Sequence, residues 1–372
     1  MTKHFHPLNR ISYYSIGYET KNVNGLEDIV LDDLKYIHQH DPSDALGIAE
    51  KQWQQLQQTY QVATQPKKAI RNIVVAGMGG SAWPMYYLKT WPTVSVPMEV
   101  VGDYKIPSYV NDETLFIASS YSGNTEEVLA CLELAEKTSA TIAVVSSAGK
   151  LLDIAKQKGH PAFEIPTGTQ PRMSTFYFLA AMTELLESLG LCPKGSTNEL
   201  PATGQWLTQQ ITKWLPTVPV SQNFAKKLAQ EMVGKSVVIY GGPLLAPAAR
   251  KWKICINENA KHLAWWNQLP EFSHNEFIGW SSQPVDKPYC VVDLRSSLEH
   301  PRIQKRFEVT ERMLSGKRPS PEIVQVEGDN ILKQLLWTSM LGDFVSIYLA
   351  LLNNVDPTPV DLVEKFKKAL DE

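Results

Sequence analysis

The hydrophobic pattern starts late in this chain. Residues 1–29 show no sustained periodicity and read as an N-terminal extension. From Leu31 onward apolar positions recur at helical spacing, and Asp41-Pro-Ser-Asp44 reads as a helix stop followed by a fresh N-cap. The next helix is expected over residues 45–63, ended by Pro66-Lys-Lys68. Short β-rich runs follow at 73–76, 96–101, 114–119 and 141–146, with helical stretches at 125–137, 151–158 and 175–189. Strands alternating with helices predict βαβ units, hence an α/β fold with a parallel sheet covered on both faces.

Cys192-Pro-Lys-Gly-Ser-Thr-Asn198 is turn-rich and marks the expected boundary between a first domain (31–195) and a second (196–372). The second half repeats the theme. A strand at 237–240 leads through Gly241-Gly242 into a helix expected over 246–266. Strands at 289–293 and 322–326, a long apolar helix at 330–352 and a closing helix at 360–370 complete it. Two strand–glycine–helix units suggest a duplicated architecture. A length of 372 residues agrees, since single cores stop growing at roughly 250–300.

Charge narrows the partners. With 36 Lys+Arg against 39 Asp+Glu the formal net charge is −3, so no global field gathers nucleic acid and any anion site must be built locally. No apolar run approaches the roughly 20 residues of a membrane span, and Met1–Arg10 lacks an apolar h-region, so a cytoplasmic protein is expected. Cys131, Cys192, Cys255 and Cys290 lie far apart without a CxxC pair, which points away from zinc ribbons and disulfides. The close histidine pairs, His4/His6 and His38/His40, are two apart and diverge on a helix. No metal and no cofactor is assigned.

Two loops carry chemistry. Gly77-Met-Gly-Gly-Ser-Ala82 follows an expected strand, and its glycines let backbone N–H groups approach an anion. The string also satisfies a dinucleotide fingerprint at Gly77, Gly79 and Ala82, with Glu99 spaced to serve as the ribose acid; the alternative is a glycine-rich turn needed only for packing. Ser119-Ser-Tyr-Ser-Gly-Asn-Thr-Glu-Glu127 brings four Ser/Thr hydroxyls into one strand-to-helix loop. Hydroxyl and backbone donors at a helix start suit a phosphate monoester, and a helix cap at Asn124 or Thr125 would need one hydroxyl, not four. The Walker lysine is missing. Both loops fall at the C-terminal edge of the expected sheet, where parallel sheets bind ligands.

These two strings resemble the SIS (sugar isomerase) fold. Gln170-Pro-Arg172, Glu258-Asn-Ala-Lys261, His274-Asn-Glu-Phe-Ile-Gly-Trp280 and Asp356-Pro-Thr-Pro-Val360 extend the resemblance to the bifunctional phosphoglucose/phosphomannose isomerases, over the chain from about Leu31 onward. The resemblance implies two SIS-type doubly wound domains with the active site between them. It also implies metal-independent interconversion of aldose 6-phosphates with fructose 6-phosphate through a cis-enediol. Mannose 6-phosphate is a second substrate by the family name alone.

Roles follow from the same resemblance. Gly80, Ser81, Ser120, Ser122 and Thr125 would hold the phosphate. Glu258 would be the base, although periodicity alone, with Trp252, Ile256 and Leu263 as the core stripe, reads it as a surface ion-pair residue. Arg172 would face the enediolate oxygen with a charge it cannot lose. His274 would open the sugar ring from a neighbouring subunit, implying a homodimer; His262, one turn from Glu258, is its rival. Lys367 would lie near the ring oxygen. It shares a helical face with Val360, Val363 and Leu370, which fits either a site lysine or one that snorkels. Trp83-Pro84 stands where small residues are expected and would either narrow the pocket mouth or repack a helix start.

Two other function classes compete. A non-catalytic sugar-phosphate sensor would keep the serine loops without needing Glu258, His274 and Lys367. A nicotinamide-dependent oxidoreductase would use Gly77–Ala82 but leave Ser120–Thr125 unexplained. A glutamine amidotransferase is disfavoured because the chain opens Met1-Thr2 rather than with a nucleophilic cysteine.

Overall fold

The computed structural model describes residues 30–60, 64–66, 68–282 and 288–370. The expected extension at 1–29 and the end of the helix expected over 45–63 lie outside them.

Strands β1 (Asn72–Gly77), β2 (Met98–Val101), β3 (Thr114–Ser120), β4 (Thr141–Ser146) and β5 (Ala162–Glu164) form a parallel sheet in the order β2-β1-β3-β4-β5. Strands β6 (Ser236–Gly241), β7 (Ala264–Gln268), β8 (Tyr289–Arg295) and β9 (Glu322–Gln325) form a second parallel sheet in the order β7-β6-β8-β9. Strands β1, β3, β4, β6 and β8 are buried along nearly their whole length, which is why they read as continuous apolar runs rather than alternating ones.

The helices that position the site are α1 (Glu126–Glu136), α2 (Thr175–Ser188), α3 (Ser196–Ile211), α4 (Ala246–Ala260), α5 (Pro301–Met313), α6 (Ile331–Leu352) and α7 (Asp361–Leu370). Helix α6 is long and apolar enough to cross a membrane, yet it is buried within the fold, packed along α4 and α3. It is a core helix. One apolar cluster runs from Val75 and Ile117 of the first sheet through α2 and α6 to Ile239 and Val292 of the second. The turn at the expected domain boundary is present, but α3 just beyond it packs back on α2, so the halves share a core.

At the centre of that core Lys251 of α4 and Asp343 of α6 form an ion pair with both side chains fully buried. Gln52 Nε2 (2.9 Å) and Cys255 Sγ (3.1 Å) also donate to the Asp343 carboxylate. A buried pair adds little net stability but is costly to break, so it fixes the rotation of α4 against α6.

Several expected boundaries shift. The helix expected to run to 266 stops at Ala260, and residues 264–268 form edge strand β7. Lys261 takes the left-handed conformation (φ 49) and its N–H closes on the Ile256 carbonyl, a C-terminal cap usually supplied by glycine. Leu263 is therefore exposed instead of joining Trp252 and Ile256 in the core stripe. The strand expected at 96–101 begins only at Met98, after Pro97, which has no N–H for the ladder. The helix from Ala45 tightens after Lys51 into a 3-10 turn, Gln52–Gln57, which aims Gln52 and Gln55 into the core.

Candidate active site

The site grows from the C-terminal ends of β1 and β3. At the last paired position Gly77 lies beside Ser119. The chain then leaves β1 through Gly79–Ala82 and leaves β3 through Tyr121–Thr125, and the two loops are tied together. The Ser119 hydroxyl donates to the Ser81 carbonyl (2.7 Å), and the Tyr121 N–H donates to the Ser81 hydroxyl (2.8 Å).

Thr125 occupies the N-cap position of α1, but its hydroxyl makes no cap bond. It meets the Ser120 hydroxyl at 2.8 Å, and Ser120 also accepts the Gly123 N–H at 3.2 Å. The Ser122 hydroxyl accepts from the Asn124 N–H (3.3 Å). Gly80, Ser81, Ser120, Ser122 and Thr125 thus sit in two adjoining loops, as a dianion cradle of neutral donors requires. Sulfate- or phosphate-sized anions favour such nests of N–H and O–H groups.

Gly80 connects this cradle to the next group. A Cβ on Gly80 would lie 2.8 Å from the Pro171 carbonyl carbon and oxygen and 3.0 Å from the Arg172 nitrogen. Only glycine lets the first loop pack against the 3-10 turn Pro171–Met173. The Tyr121 hydroxyl accepts the Thr169 N–H (3.1 Å) and fixes the same turn from the other loop.

Arg172 is 2 % exposed and its guanidinium is held from all sides. Nε donates to Asn259 Oδ1 (2.5 Å), Nη2 to the carbonyls of Pro357 (2.9 Å) and Thr358 (2.8 Å), and Nη1 to Glu258 Oε2 (3.0 Å). Glu258 keeps about a third of its side chain exposed (34 %), so one face of this pair opens outward while the arginine is enclosed. Asn259 is fixed in turn: its Nδ2 donates to Ser346 Oγ (2.8 Å) on α6.

The sequence pattern gives Lys261 no role, yet it lies at this centre. Its Nζ donates to the carbonyls of Asn259 (3.1 Å) and Asp356. Burial, and then the Arg172 charge, push its ammonium down to about 8. Asn259, Lys261 and the Asp356–Thr358 carbonyls form the supporting shell. Glu258-Asn-Ala-Lys261 and Asp356-Pro-Thr-Pro-Val360 carry these residues, but nothing in their spacing tells which partner each meets.

The site lies between two opposite sheet edges. Helix α4 starts beyond the C-terminal end of β6 and runs back along the second sheet, so Glu258 comes roughly 18 Å along it, near the start of β7. The cradle, in contrast, is at the C-terminal edge of the first sheet. Trp83 is buried and its Nε1 donates to the Pro247 carbonyl (3.2 Å), joining the first loop's helix to α4 rather than closing the pocket mouth.

His274 is not brought to this centre within the chain. It follows β7 at the C-terminal edge of the second sheet, the end of α4 away from Glu258, and is exposed. Lys367 is exposed on α7 and pairs with Glu364 (2.8 Å). His262 is occupied elsewhere: Nε2 meets the Lys235 carbonyl and Nδ1 meets Asn353 Nδ2 (3.3 Å). Glu99 accepts from the Tyr109 hydroxyl at 2.5 Å on edge strand β2.

Residues 221–370 match the model of the bacterial phospho-glucose isomerase C-terminal SIS domain. A bifunctional phosphoglucose/phosphomannose isomerase of Caldicellulosiruptor bescii is 32% identical over 328 residues, covering 86% of this chain and 96% of the relative. One from Aquifex aeolicus is 32% identical over 303 residues, 81% of this chain and 90% of the relative. Among solved structures, a glucose-6-phosphate isomerase like protein from Thermus thermophilus shares the fold at TM-score 0.61, with 18% identity and coverage of 91% of this chain and 98% of that one. With a relative this similar along nearly its whole length, the chain belongs to the bifunctional phosphoglucose/phosphomannose isomerase family.

Proposed function

We propose that this member of the family interconverts glucose 6-phosphate, and mannose 6-phosphate, with fructose 6-phosphate. The phosphate sits in the cradle of Gly80, Ser81, Ser120, Ser122 and Thr125. That anchors C6 and leaves the C1–C2 end of the open-chain sugar to reach the Arg172–Glu258 pair. The Glu258 carboxylate takes the C2 proton of the aldose, the enediolate oxygens collect charge facing Arg172, and the protonated Glu258 returns the hydrogen to C1. Arg172 supplies the fixed positive charge that such a transient oxyanion needs, without a metal. For mannose 6-phosphate the same enediol exchanges its proton on the other face of C2.

The single observation that carries this reading is the 3.0 Å contact of a fully enclosed arginine with a partly open glutamate, one backbone contact away from the hydroxyl cradle. A sensor would need the cradle but not a carboxylate held open beside a buried cation. Ring opening falls to His274 of a second copy, because the chain's own His274 is at the far end of α4 from Glu258; the working unit is then a homodimer. Lys367 assists at the ring oxygen once α7 is docked. The four cysteines are buried and free, in keeping with a reducing cytoplasm.

The test is a coupled assay with glucose 6-phosphate, mannose 6-phosphate and fructose 6-phosphate on the wild type and Glu258→Gln. Turnover of both aldoses in the wild type and none in the variant, with phosphosugar binding kept, supports the reading. Intact turnover in Glu258→Gln sinks it, and no turnover of mannose 6-phosphate reduces it to a single-substrate isomerase.

A further inference from the structure

The second sheet repeats the geometry of the first loop for loop. Gly77 ends β1 opposite Ser119 of β3, and Gly241 ends β6 opposite Leu294 of β8. The N-cap Thr125 lies six residues beyond Ser119 (125 − 119 = 6), and the N-cap His300 lies six beyond Leu294 (300 − 294 = 6). By this register Leu244 and Leu245 stand where the first sheet has Gly80 and Ser81, and His300 where it has Thr125.

That second position is filled. Glu299 is 5 % exposed, and its carboxylate accepts the Leu244 N–H at 2.7 Å. The Leu245 and His300 amides lie near enough to favour its charged form, although the Leu245 N–H itself donates to the Gly242 carbonyl (3.0 Å). Its carboxylate thus rests on the amide that corresponds to Gly80, with those that correspond to Ser81 and Thr125 close by. A Cβ on Gly242 would lie 2.3 Å from Glu299 Oε1, so the glycine there admits the carboxylate. Burial raises the pKa of this carboxyl, and among the described residues no cationic side chain donates to it, so backbone amides alone work against that burial, as they do for bound oxyanions.

We propose that the second sheet carries a counterpart of the phosphate cradle held shut by the chain's own Glu299, and that removing this carboxylate opens a site for a small oxyanion. The claim that the wild type holds one hexose phosphate per chain rests on the function proposed above; the claim about Glu299 rests only on the geometry of β6, β8 and α5. An apolar residue at this position would leave the Leu244 N–H without its acceptor.

The experiment compares wild type, Glu299→Ala and Glu299→Gln by thermal unfolding in chloride, formate and phosphate at equal ionic strength. Glu299→Ala is expected to melt lower in chloride. Formate or phosphate should raise its Tm by about 2 °C or more beyond the rise seen in wild type. Glu299→Gln, whose amide oxygen still accepts from Leu244, should gain no more than wild type. Equal anion shifts in all three overturn the proposal. If Glu299→Ala does not fold in chloride, its refolding yield is measured with and without formate; an unchanged yield overturns it too. The phosphate cradle of the first sheet is common to all three proteins, so failure of the isomerase assay would leave this comparison intact, and failure here would leave the isomerase assay intact.

Discussion

Arg172 Nη1 and Glu258 Oε2 meet at 3.0 Å although 86 residues separate them in the chain. The contact joins the last turn before α2 to the last turn of α4, and so joins the two halves at the point where chemistry is proposed. Its asymmetry is what makes it useful. The cation is enclosed and cannot shed its charge, while the carboxylate has an open side from which a substrate proton can be reached.

Arg172→Lys should therefore fail. A single ammonium cannot replace three nitrogens that engage Asn259, Glu258 and the carbonyls of Pro357 and Thr358 at once. A loss of about 10²–10³-fold in kcat is expected, with KM for the phosphosugar little changed. Steady-state kinetics checks this; a kcat near wild type would remove Arg172 from oxyanion stabilisation.

Asn259 is placed to orient Arg172. Its Oδ1 accepts from Arg172 Nε, and its Nδ2 is held by Ser346, whose hydroxyl donates to the Asp343 carbonyl at 2.9 Å. Asn259→Ala leaves a buried guanidinium N–H unpaired, at a cost of about 1–3 kcal/mol in stability. Denaturant unfolding reads that cost, and kinetics should show a lower kcat at nearly constant KM. Stability and kcat both unchanged would mean that the network does not orient Arg172.

The Lys251–Asp343 pair ties α4, the helix that carries Glu258, to α6. Asp343→Ala strands a buried ammonium and should cost about 3–5 kcal/mol, seen as a lower denaturation midpoint. A loss under about 1 kcal/mol would show that Lys251 finds another partner.

The Lys261 ammonium is depressed from its usual 10.5 to about 8 by burial and the Arg172 charge. Between these values the unfolded chain binds the extra proton and the folded one does not. This group therefore makes stability rise with pH from about 8 to 10.5, and below about 8 its penalty is fully present. Lys261→Met should remove that rise. A wild-type and a variant stability curve that run parallel across this window would place Lys261 in an ordinary solvated setting.

Mixed subunits test the position of His274. If it serves the neighbouring copy, His274→Ala and Glu258→Gln are each inactive alone. After subunit exchange, half of the dimers are mixed and each has one complete site, giving about a quarter of wild-type activity. No recovery after verified exchange would confine each site to one chain.

The core strands were legible because parallel strands buried on both faces leave uninterrupted apolar runs, as at Ile73–Ala76 and Thr114–Ser119. The end of α4 was not. Leu263-Ala-Trp-Trp266 continues an apolar spacing, and the left-handed residue that stops the helix is Lys261, with no glycine to announce it. In the site, the hydroxyl-rich loop could be seen from composition alone, and the turn of the Thr125 hydroxyl toward Ser120 gives it a physical form. Arg172 and Glu258 came from resemblance only, since no local pattern connects residues so far apart. His274 and Lys367 lie away from that centre in the described chain: His274 is exposed beyond the C-terminal end of β7, and Lys367 is paired with Glu364 on the exposed helix α7.

The most direct measurement follows hydrogen at the sugar carbons in D2O. Wild-type enzyme given glucose 6-phosphate should place solvent deuterium at C1 of fructose 6-phosphate through the Glu258 carboxyl. Glu258→Gln, folded and still binding the phosphosugar, should place none. Deuterium entering at the wild-type rate in that variant would contradict the assignment of Glu258 as the group that carries the proton.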